Sequence, residues 1–300
     1  MNKSKIKYII DFDSTFIKLE ALDELFNISN IKGIKSDLEL KEFEKITSSS
    51  MNGSLSFSES LKKRMKLLKA DRTHIDKLVK KLSGKVSSSV KRNKSFFINH
   101  SENIYIISGG FKELIVPVVG KFGIPAENVF ANTFTYDKDG NISGYDKKNL
   151  LSFDNGKIEQ LKQLGLSGEL YVIGDGYTDY ELKKAGIAHK FFAFTENVER
   201  EIVSSKADHI TPSMDEFLYL NKLPMTISYP KNRIKVLLLE NIHKDAVSIF
   251  KEEGYQIESF PKSMDEKELC KKIKDVSILG IRSKTQISRQ VIDHADKLIS

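Results

Sequence analysis

The chain has 300 residues, of which 40% are hydrophobic and 30% are charged, and a formal net charge of +7. This length suggests roughly two domains with sizeable cores, and the positive charge comes mostly from dispersed lysines without a basic stripe interleaved with aromatic residues, so nucleic-acid binding is not indicated. The single cysteine, Cys270, excludes an internal disulfide and a cysteine-based zinc site, and it fits a reducing compartment.

The first predicted strand ends at Ile10 and is followed at once by the acidic run DFDST, residues 11–15. On extended chain, Asp11 and Asp13 point to the same side, and open α/β sheets bind ligands at the carboxyl ends of their strands. Like charges this close repel unless a shared proton or a hard divalent cation such as Mg²⁺ relieves them. The alternative is a polar turn that caps the next helix.

From residue 17 to about residue 85 the chain is polar, helical in pattern and free of proline. Helical spacing of apolar residues predicts a helix within Ser56–Ala70, and Asp71–Gly84 begins with a capping aspartate and ends at a glycine. Earlier helices are predicted near Ala21–Asn27 and Ser36–Ser48. The pattern indicates a small helical insertion between the first strand and the next element of the sheet.

One later segment could bind an anion, and the next contains a lysine in an unfavourable helix position. Asn103–Gly110 is a predicted strand ending in Ser-Gly-Gly, and a helix follows. Such a turn can present backbone N–H groups and a helix N-terminus to an oxyanion, although an ordinary strand–helix turn has the same pattern. Lys157 lies in the first turn of the next predicted helix, where the helix dipole opposes a positive charge. A solvated lysine is the alternative there.

The rest of the chain predicts an α/β architecture. A hairpin is predicted around DKDGN, residues 137–141, and Glu169–Gly186 predicts a strand, an acidic glycine-rich turn flanked by Asp175 and Asp179, and a helix. Continued alternation of strands and helices favours a doubly wound parallel sheet. Residues 223–233 contain two prolines and little periodicity, which indicates a linker. A second, partial α/β domain is predicted over 234–300.

Four motifs stand in the order DFDST, SGG, a lone lysine and GDGYTD. From about residue 5 to residue 220 the chain resembles the haloacid dehalogenase-like phosphotransferases and, within them, the phosphoserine phosphatases. MNGSLSFSESLKKRMKLL, residues 51–68, is similar to the substrate-recognition stretch of that family. The resemblance implies a catalytic core at 1–16 and 86–222 and a helical cap at 17–85.

The resemblance also implies hydrolysis of O-phospho-L-serine through an aspartyl-phosphate, as a step of serine biosynthesis. Asp11 would be the nucleophile, and Asp13 the general acid and later the base, which requires a raised pKa. Mg²⁺ would be held by Asp11, the Asp13 backbone carbonyl and Asp175, with Asp179 orienting the metal site.

Further roles concern binding of the phosphate. By resemblance, Ser108 and the Gly109 N–H would bind phosphoryl oxygens, and Lys157 would neutralise charge shared by the phosphate and the nucleophile. Thr178 stands where many members of the family carry asparagine. Its hydroxyl can still hydrogen-bond an aspartate or a metal-bound water, so we expect an altered site and not a lost one. The alternative substrate is another small phosphate ester.

The amino-acid part of the substrate would be bound by the cap. The resemblance assigns the ammonium group to Glu20 and the carboxylate to Arg64, whose two-pronged contact lysine could not copy. Met51 and Phe57 would form an apolar lid that excludes water. The alternatives are surface ion pairs for the charged residues and core packing for the apolar ones.

Residues 234–300 resemble the start of D-3-phosphoglycerate dehydrogenase, most specifically in GIRSKT. In that family the pair corresponding to Arg282 and Ser283 contacts the substrate phosphate, and Lys284 replaces an arginine of many members. No G-x-G-x-x-G motif is present, so NAD binding and oxidation are not expected. We expect the front of a fusion of two enzymes, cut short; the alternative for this segment is a non-catalytic docking or regulatory module.

The lengths of the apolar runs bear on where in the cell the protein is expected. No stretch approaches the roughly 18 apolar residues that span a bilayer, and Asp11 interrupts the N-terminal run, which does not fit a signal peptide. We expect a cytoplasmic protein with a small-molecule substrate and no membrane partner, and we leave homo-oligomerisation open.

Overall fold

The computed structural model of the chain describes residues 6–29 and 37–300. It divides into two compact units, residues 1–214 and residues 215–300. This division falls upstream of the predicted linker at 223–233, and residues 221–230 form no helix or strand. The exact domain boundaries given by the sequence therefore stay a prediction.

The first unit is built on a parallel sheet. Its strands are β1 (Ile6–Ile10), β2 (Ile104–Phe111), β3 (Val129–Asn132), β6 (Glu169–Gly174), β7 (Lys190–Phe194) and β8 (His209–Thr211), and a separate antiparallel hairpin is formed by β4 (Phe134–Tyr136) and β5 (Ile142–Tyr145). The six-stranded sheet has the order β3-β2-β1-β6-β7-β8, with every neighbouring pair parallel. The predicted doubly wound parallel sheet and the hairpin are confirmed.

Helices surround this sheet and fill the insertion after β1. They are α1 (Ala21–Ser29), α2 (Asp37–Met51), α3 (Phe57–Leu67), α4 (Arg72–Leu82), α5 (Ser88–Arg92), α6 (Lys94–Asn99), α7 (Lys112–Val119), α8 (Gly156–Leu164), α9 (Tyr177–Lys184) and α10 (Glu201–Ser204). The next helix, α11 (Met214–Leu220), begins at the last residue of the first unit and otherwise belongs to the second. The predicted start of α2 at Ser36 lies outside the described residues. Asp71 caps α4 as the sequence predicts, and Ser56 is the N-cap of α3.

Strand β1 lies in the middle of the sheet and is covered on both faces, which is why its sequence is a nearly continuous apolar run. Ile10 pairs with Ile106 on one side and with Ile173 on the other, and it is fully buried. The ladder continues one residue further, because the Asp11 N–H donates to the Ile173 carbonyl at 3.0 Å. The centre of the sheet therefore fixes the backbone of Asp11 at its carboxyl edge.

Helices α1 to α4 form a cap inserted between β1 and α5. The chain enters and leaves it side by side, since Ile17 forms an antiparallel bridge with Val86 and the Lys18 N–H donates to the Lys85 carbonyl at 2.8 Å. The cap has its own apolar contacts, in which the rings of Phe26 and Phe43 stack with centroids 4.1 Å apart. Two adjacent chain segments, one entering and one leaving, thus connect the cap to the core.

The second unit contains a smaller parallel sheet of order β10-β9-β11. Its elements are β9 (Lys235–Leu238), α12 (Lys244–Glu252), β10 (Gln256–Ser259), α13 (Glu266–Lys272), β11 (Ile278–Gly280) and α14 (Arg289–Asp293). Leu237, Leu239, Leu269 and Val276 are buried in its core. The predicted second run of strands and helices is confirmed.

The GIRSKT loop of this unit is organised around Glu240. Its carboxylate accepts hydrogen bonds from the backbone N–H groups of Ser283, Lys284 and Thr285 at 2.8, 3.0 and 2.6 Å. These bonds, first among them those of Thr285, lower the pKa of Glu240 to about 2. Arg282 donates to the Glu240 carbonyl at 3.5 Å. A phosphate contact by Arg282 and Ser283 stays a prediction.

The helices of the described segments, 6–29 and 37–300, all fall short of the combined length and apolar character that crossing a bilayer requires.

Asp71, the N-cap residue of α4, allows a test of how this helix contributes to stability. Asp71 accepts from the N–H groups of Thr73 and His74 at 2.8 and 3.1 Å, and bonding led by the Thr73 side chain lowers its pKa from 3.8 to about 2. We expect Asp71→Ala to lower the free energy of unfolding by about 1 kcal/mol at pH 7. Because a lowered pKa stabilises the fold above its unfolded value, the difference should vanish as pH falls from about 4 through 2.

Denaturant unfolding of the two proteins across that pH range measures the effect. Asp76→Ala is the matched control, since it removes an exposed carboxylate from the middle of the same helix, and we expect a change within about 0.5 kcal/mol. Equal losses for both variants would contradict the capping role of Asp71.

Candidate active site

A cavity of about 370 Å³ lies between the carboxyl edge of the parallel sheet and the cap. Residues from both sides line it. Those predicted from the sequence are Asp11, Asp13, Glu20, Met51, Phe57, Arg64, Ser108, Gly109, Lys157 and Thr178. The remaining two predicted residues, Asp175 and Asp179, join this group through the Asp11 carboxylate. The fold therefore brings every predicted site residue of the first unit into one place.

The acidic run after β1 is held in a specific backbone shape. Asp11 and Asp13 are extended, with ψ angles of 161° and 141°, and Ser14 then takes a left-handed conformation with φ of 51° that turns the chain. The Asp11 carboxylate accepts from the Phe12 N–H at 2.8 Å. The Asp13 carboxylate accepts from the Ala21 N–H at 2.7 Å, at the start of α1. Asp13 therefore also performs the helix-capping role that was the alternative for this motif.

Lys157 is buried between two carboxylates. Its Nζ lies 3.1 Å from Asp11 Oδ1 and 2.7 Å from Asp179 Oδ1, and 7% of its side chain is exposed. Burial alone would lower the pKa of Lys157, but Asp11 and Asp179 outweigh it and raise the pKa. The solvated-lysine alternative is wrong, because these two ion pairs compensate for the unfavourable position in the first turn of α8.

The backbone before Lys157 approaches the core closely. A Cβ on Gly156 would lie 2.3 Å from the Leu150 carbonyl oxygen, and Asn155 takes a left-handed conformation with φ of 56°. Only glycine fits the first position of α8 without moving the chain. This contact sets how deeply the next residue reaches into the site.

Asp11, Asp175 and Asp179 form a buried group whose ligand oxygens lie within 4.8 Å of one another. Burial raises the pKa of Asp175 to about 7, and burial raises the pKa of Asp179 to about 8 although Lys157 opposes the rise. Thr15 donates to Asp175 at 2.7 Å and the Gly176 N–H donates to Asp179 at 3.1 Å. Oriented carboxylate oxygens that repel one another are the donor set that fits a hard divalent cation.

The turn between β6 and α9 is shaped by a missing side chain. A Cβ on Gly174 would lie 2.2 Å from the Asp179 carboxyl carbon. Asp179, in the first turn of α9, can fold back over the end of β6 only because that position is glycine. The glycine therefore allows Asp179 to reach Lys157 and the metal-ligand group.

Arg200, at the N-cap of α10, is a site residue that the sequence did not indicate. Its guanidinium forms an ion pair with the Asp175 carboxylate and lies 3.8 Å from the Glu20 carboxylate. Thr15, inside the predicted motif, was likewise given no role although it orients Asp175. Arg200 is far from every motif along the chain and in no recognisable pattern, so only the fold reveals it.

Ser108 and Gly109 lie in the second half of β2, which ends at Phe111, and this part of the strand lies beside Asp13. The Gly110 N–H donates to Ser108 Oγ at 3.0 Å, and a Cβ on Gly110 would lie 3.0 Å from Asp13 Oδ2. The strand end thus runs directly beside the acidic motif. A backbone without side chains leaves room for an oxyanion between Ser108 and Asp13.

Glu20 and Arg64 form the charged side of the cavity. The Glu20 carboxylate accepts from Ser14 Oγ at 2.7 Å, and burial followed by repulsion from Asp23 raises its pKa. Arg64 is 5% exposed, and its Nη1 lies 3.8 Å from Asp23 Oδ1. Its Nε is buried with no hydrogen-bond partner among the described residues. A surface ion pair is therefore the wrong description of Arg64.

Asp13 lies at the meeting point of these charges. Burial and then the nearby Glu20 carboxylate raise its pKa well above the usual range, with Asp11 adding to the rise. The sequence-based expectation of a raised pKa is confirmed in direction. Asp13 can therefore hold a proton close to Asp11 and to the strand end at Ser108.

Met51 and Phe57 close the cavity from the cap side. The Phe57 ring lies 2.5 Å from the position of a Cβ on Gly109, and Met51 Sδ lies 3.6 Å from a Cβ on Gly176. Thr178 lines the same cavity, half-buried. Met51 and Phe57 are half-buried and contact glycines of the core. They therefore lie between the cavity and solvent and do not fill the interior of the cap.

Comparison with known sequences gives relatives for most of the chain. The chain is 30% identical to the phosphoserine phosphatase of Drosophila melanogaster over 212 residues, which cover 69% of this chain and 75% of that protein. It is 32% identical over 202 residues to the chloroplastic phosphoserine phosphatase of Arabidopsis thaliana, of which it spans 65%. Both matches cover about two thirds of this chain.

Solved structures give the same result. A phosphoserine phosphohydrolase-like protein from Francisella tularensis is 33% identical, with a TM-score of 0.65, and the match covers 72% of this chain and 99% of that one. A structure described as a phospho-aspartyl intermediate analogue of phosphoserine phosphatase is 26% identical, with a TM-score of 0.58 over 74% of this chain and 100% of that one.

The second unit has different relatives. Residues 236–300 match the family described as D-isomer specific 2-hydroxyacid dehydrogenase, catalytic domain. The chain is also 47% identical over 75 residues to the D-3-phosphoglycerate dehydrogenase of Dictyostelium discoideum, which is 25% of this chain and 18% of that protein. The resemblance predicted for the C-terminal segment is confirmed as a likeness to a small part of that protein.

Proposed function

We propose that this chain, which belongs to the phosphoserine phosphatase family, hydrolyses O-phospho-L-serine to L-serine and phosphate. The observation that carries the proposal is that one cavity joins Asp11, Asp13 and Lys157 to Glu20 and Arg64. The first three suit transfer of a phosphoryl group, and the last two suit the ammonium and carboxylate of an amino acid. A dehydrogenase activity is not carried over, because the chain spans 18% of the dehydrogenase relative.

The first step is attack on phosphorus by Asp11. Its Oδ1 is held by the Phe12 N–H and Lys157 Nζ, so the carboxylate has a fixed orientation, and we assign attack to its other oxygen. The bond between phosphorus and the serine oxygen breaks, and that oxygen takes the proton of Asp13. The raised pKa of Asp13 supports this role, since a general acid must be protonated at the operating pH.

The second step reverses the proton transfer. Asp13, now a carboxylate, accepts a proton from the water that attacks the phosphorus of the aspartyl-phosphate. Phosphate leaves, Asp11 becomes a carboxylate again, and Asp13 regains its proton. Lys157 and the N–H groups near Ser108 would stabilise the negative charge on the phosphoryl oxygens in both steps.

We assign Mg²⁺ to the group formed by Asp11, Asp175 and the Asp13 carbonyl, with Asp179 orienting it. Acidic side chains outnumber cationic ones around the cavity, and the buried oxygens of three of them lie within 4.8 Å of one another, which supports a divalent cation. When bound, Mg²⁺ would supply positive charge to the phosphoryl oxygens. A cytoplasmic location stays a prediction.

The test of the nucleophile is phosphate release from O-phospho-L-serine. We expect Asp11→Asn to lower kcat by at least about 10³-fold, because an amide cannot form the aspartyl-phosphate. Asp139→Asn, which changes an exposed carboxylate in the turn of the β4–β5 hairpin away from the cavity, is the control that keeps most of the activity. Normal turnover by Asp11→Asn would contradict the mechanism, and no release by the wild-type protein would contradict the function.

The metal is tested by removal. We expect EDTA to abolish phosphate release and Mg²⁺ to restore it, because uncompensated carboxylates would repel the substrate phosphate. The midpoint of thermal unfolding measures binding independently of activity. Mg²⁺ should raise this midpoint in the wild-type protein, because a ligand of the folded state stabilises it, and should leave it unchanged in Asp175→Asn. An unchanged midpoint in the wild-type protein at millimolar Mg²⁺ would count against the site.

Substrate choice is tested at Arg64. Arg64→Lys keeps the charge but loses the two-pronged contact, so we expect KM for phosphoserine to rise about tenfold or more. Phosphoethanolamine lacks the carboxylate, and its KM should change little in the same variant. Equal effects on both substrates would mean that Arg64 does not bind the substrate carboxylate.

A further inference from the structure

Near Phe57 and Gly53, at the rim of the cavity, the cap and the core meet through apolar and backbone contacts that are not directional. Phe57 lies against Gly109, and a Cβ on Gly53 of the cap would lie 3.1 Å from the Tyr177 ring of the core. Such contacts give complementary surfaces but do not fix one position of the cap, which must also open to admit substrate. A hydrogen bond at the same rim would fix the closed position.

Asp154 makes that contact from the core. Its Oδ1 accepts from the Ser58 N–H at 2.9 Å, and its Oδ2 accepts from the Ser58 hydroxyl at 2.9 Å. Ser58 is the second residue of α3, so a carboxylate of the core caps the N-terminus of a cap helix, where the helix dipole favours negative charge. Resting on the proposed function, we infer that Asp154 is a positioning residue that holds the cap closed over the substrate.

The two partners are attached to the residues that must be aligned. Helix α3 carries Phe57 and Arg64, which close the cavity and bind the substrate. Asp154 stands three positions before Lys157 in the same loop and helix start. The pair therefore joins the helix of the substrate-binding residues to the segment of a phosphate-binding residue. It lies at the rim of the cavity, which is lined by Asp154 and by Phe57, the residue before Ser58.

The opposite end of α3 is fixed differently. After the helix ends, the Ala70 carbonyl accepts from the Ile142 N–H of the core hairpin at 2.8 Å, and the Arg72 N–H donates to the Gly140 carbonyl at 3.3 Å. Backbone bonds thus hold the C-terminal end of α3. Its N-terminal end is held by an exposed carboxylate that water can displace. Opening would therefore start at Ser58 and release the lid residues first.

The test uses hydrogen exchange and kinetics on the full chain. Without substrate, we expect Asp154→Ala to speed amide exchange in peptides covering residues 52–60 by about tenfold, with exchange at 169–174 in β6 unchanged. Because exchange follows the ratio of open to closed protein whereas KM follows the inverse of the closed fraction, KM for phosphoserine should rise by a smaller factor than exchange, with little change in kcat. Asp154→Asn and Ser58→Ala, which each keep one bond, should give smaller changes of the same sign.

Glu127→Ala is the matched control, because it removes another exposed carboxylate of the core and should change neither measurement. Unchanged exchange at 52–60 in Asp154→Ala, an unchanged KM, or equally faster exchange in β6 would overturn the inference. If the wild-type protein releases no phosphate from phosphoserine, the proposed function fails, and the exchange comparison alone still decides whether Asp154 holds the cap.

Discussion

The buried ion pairs of Lys157 are the interaction on which the site depends. Asp11 and Asp179 follow different strands, and both carboxylates are buried, where a charge without a partner is costly. The ammonium group within 3.1 Å of each lowers that cost. Breaking such a pair from one side would leave uncompensated charge in the interior. Lys157 therefore helps the carboxyl edge of the sheet to hold several buried carboxylates together.

The parallel sheet determines which residues can share this charge. Because β1 lies between β2 and β6, the segments that follow these strands meet at one edge although they are far apart in the chain. Arg200 joins from beyond β7 and pairs with Asp175. The site is thus assembled from strand ends, and strong backbone pairing holds each of them in place.

In the proposed function, the cap supplies selectivity to a site that could otherwise accept many phosphate esters. Two adjacent chain segments and backbone bonds to the core hairpin attach the cap, so contacts at the rim position the N-terminal end of α3. The cap also supplies Arg64 and the lid. Arg64 keeps a buried Nε without a partner among the described residues. An unpaired donor of this kind favours a ligand that completes its hydrogen bonds.

The amino-acid sequence by itself determined the elements and the chemistry near them. Apolar runs gave the strands, capping residues gave the starts of α3 and α4, and DFDST and GDGYTD placed carboxylates at strand ends, because these patterns act over a few neighbouring residues. The tertiary structure alone decided which charges are buried together: the depth of Lys157, the pairing of Arg200 with Asp175 and the bond of Asp154 to Ser58. Those depend on contacts between segments distant in the chain, which no local pattern encodes.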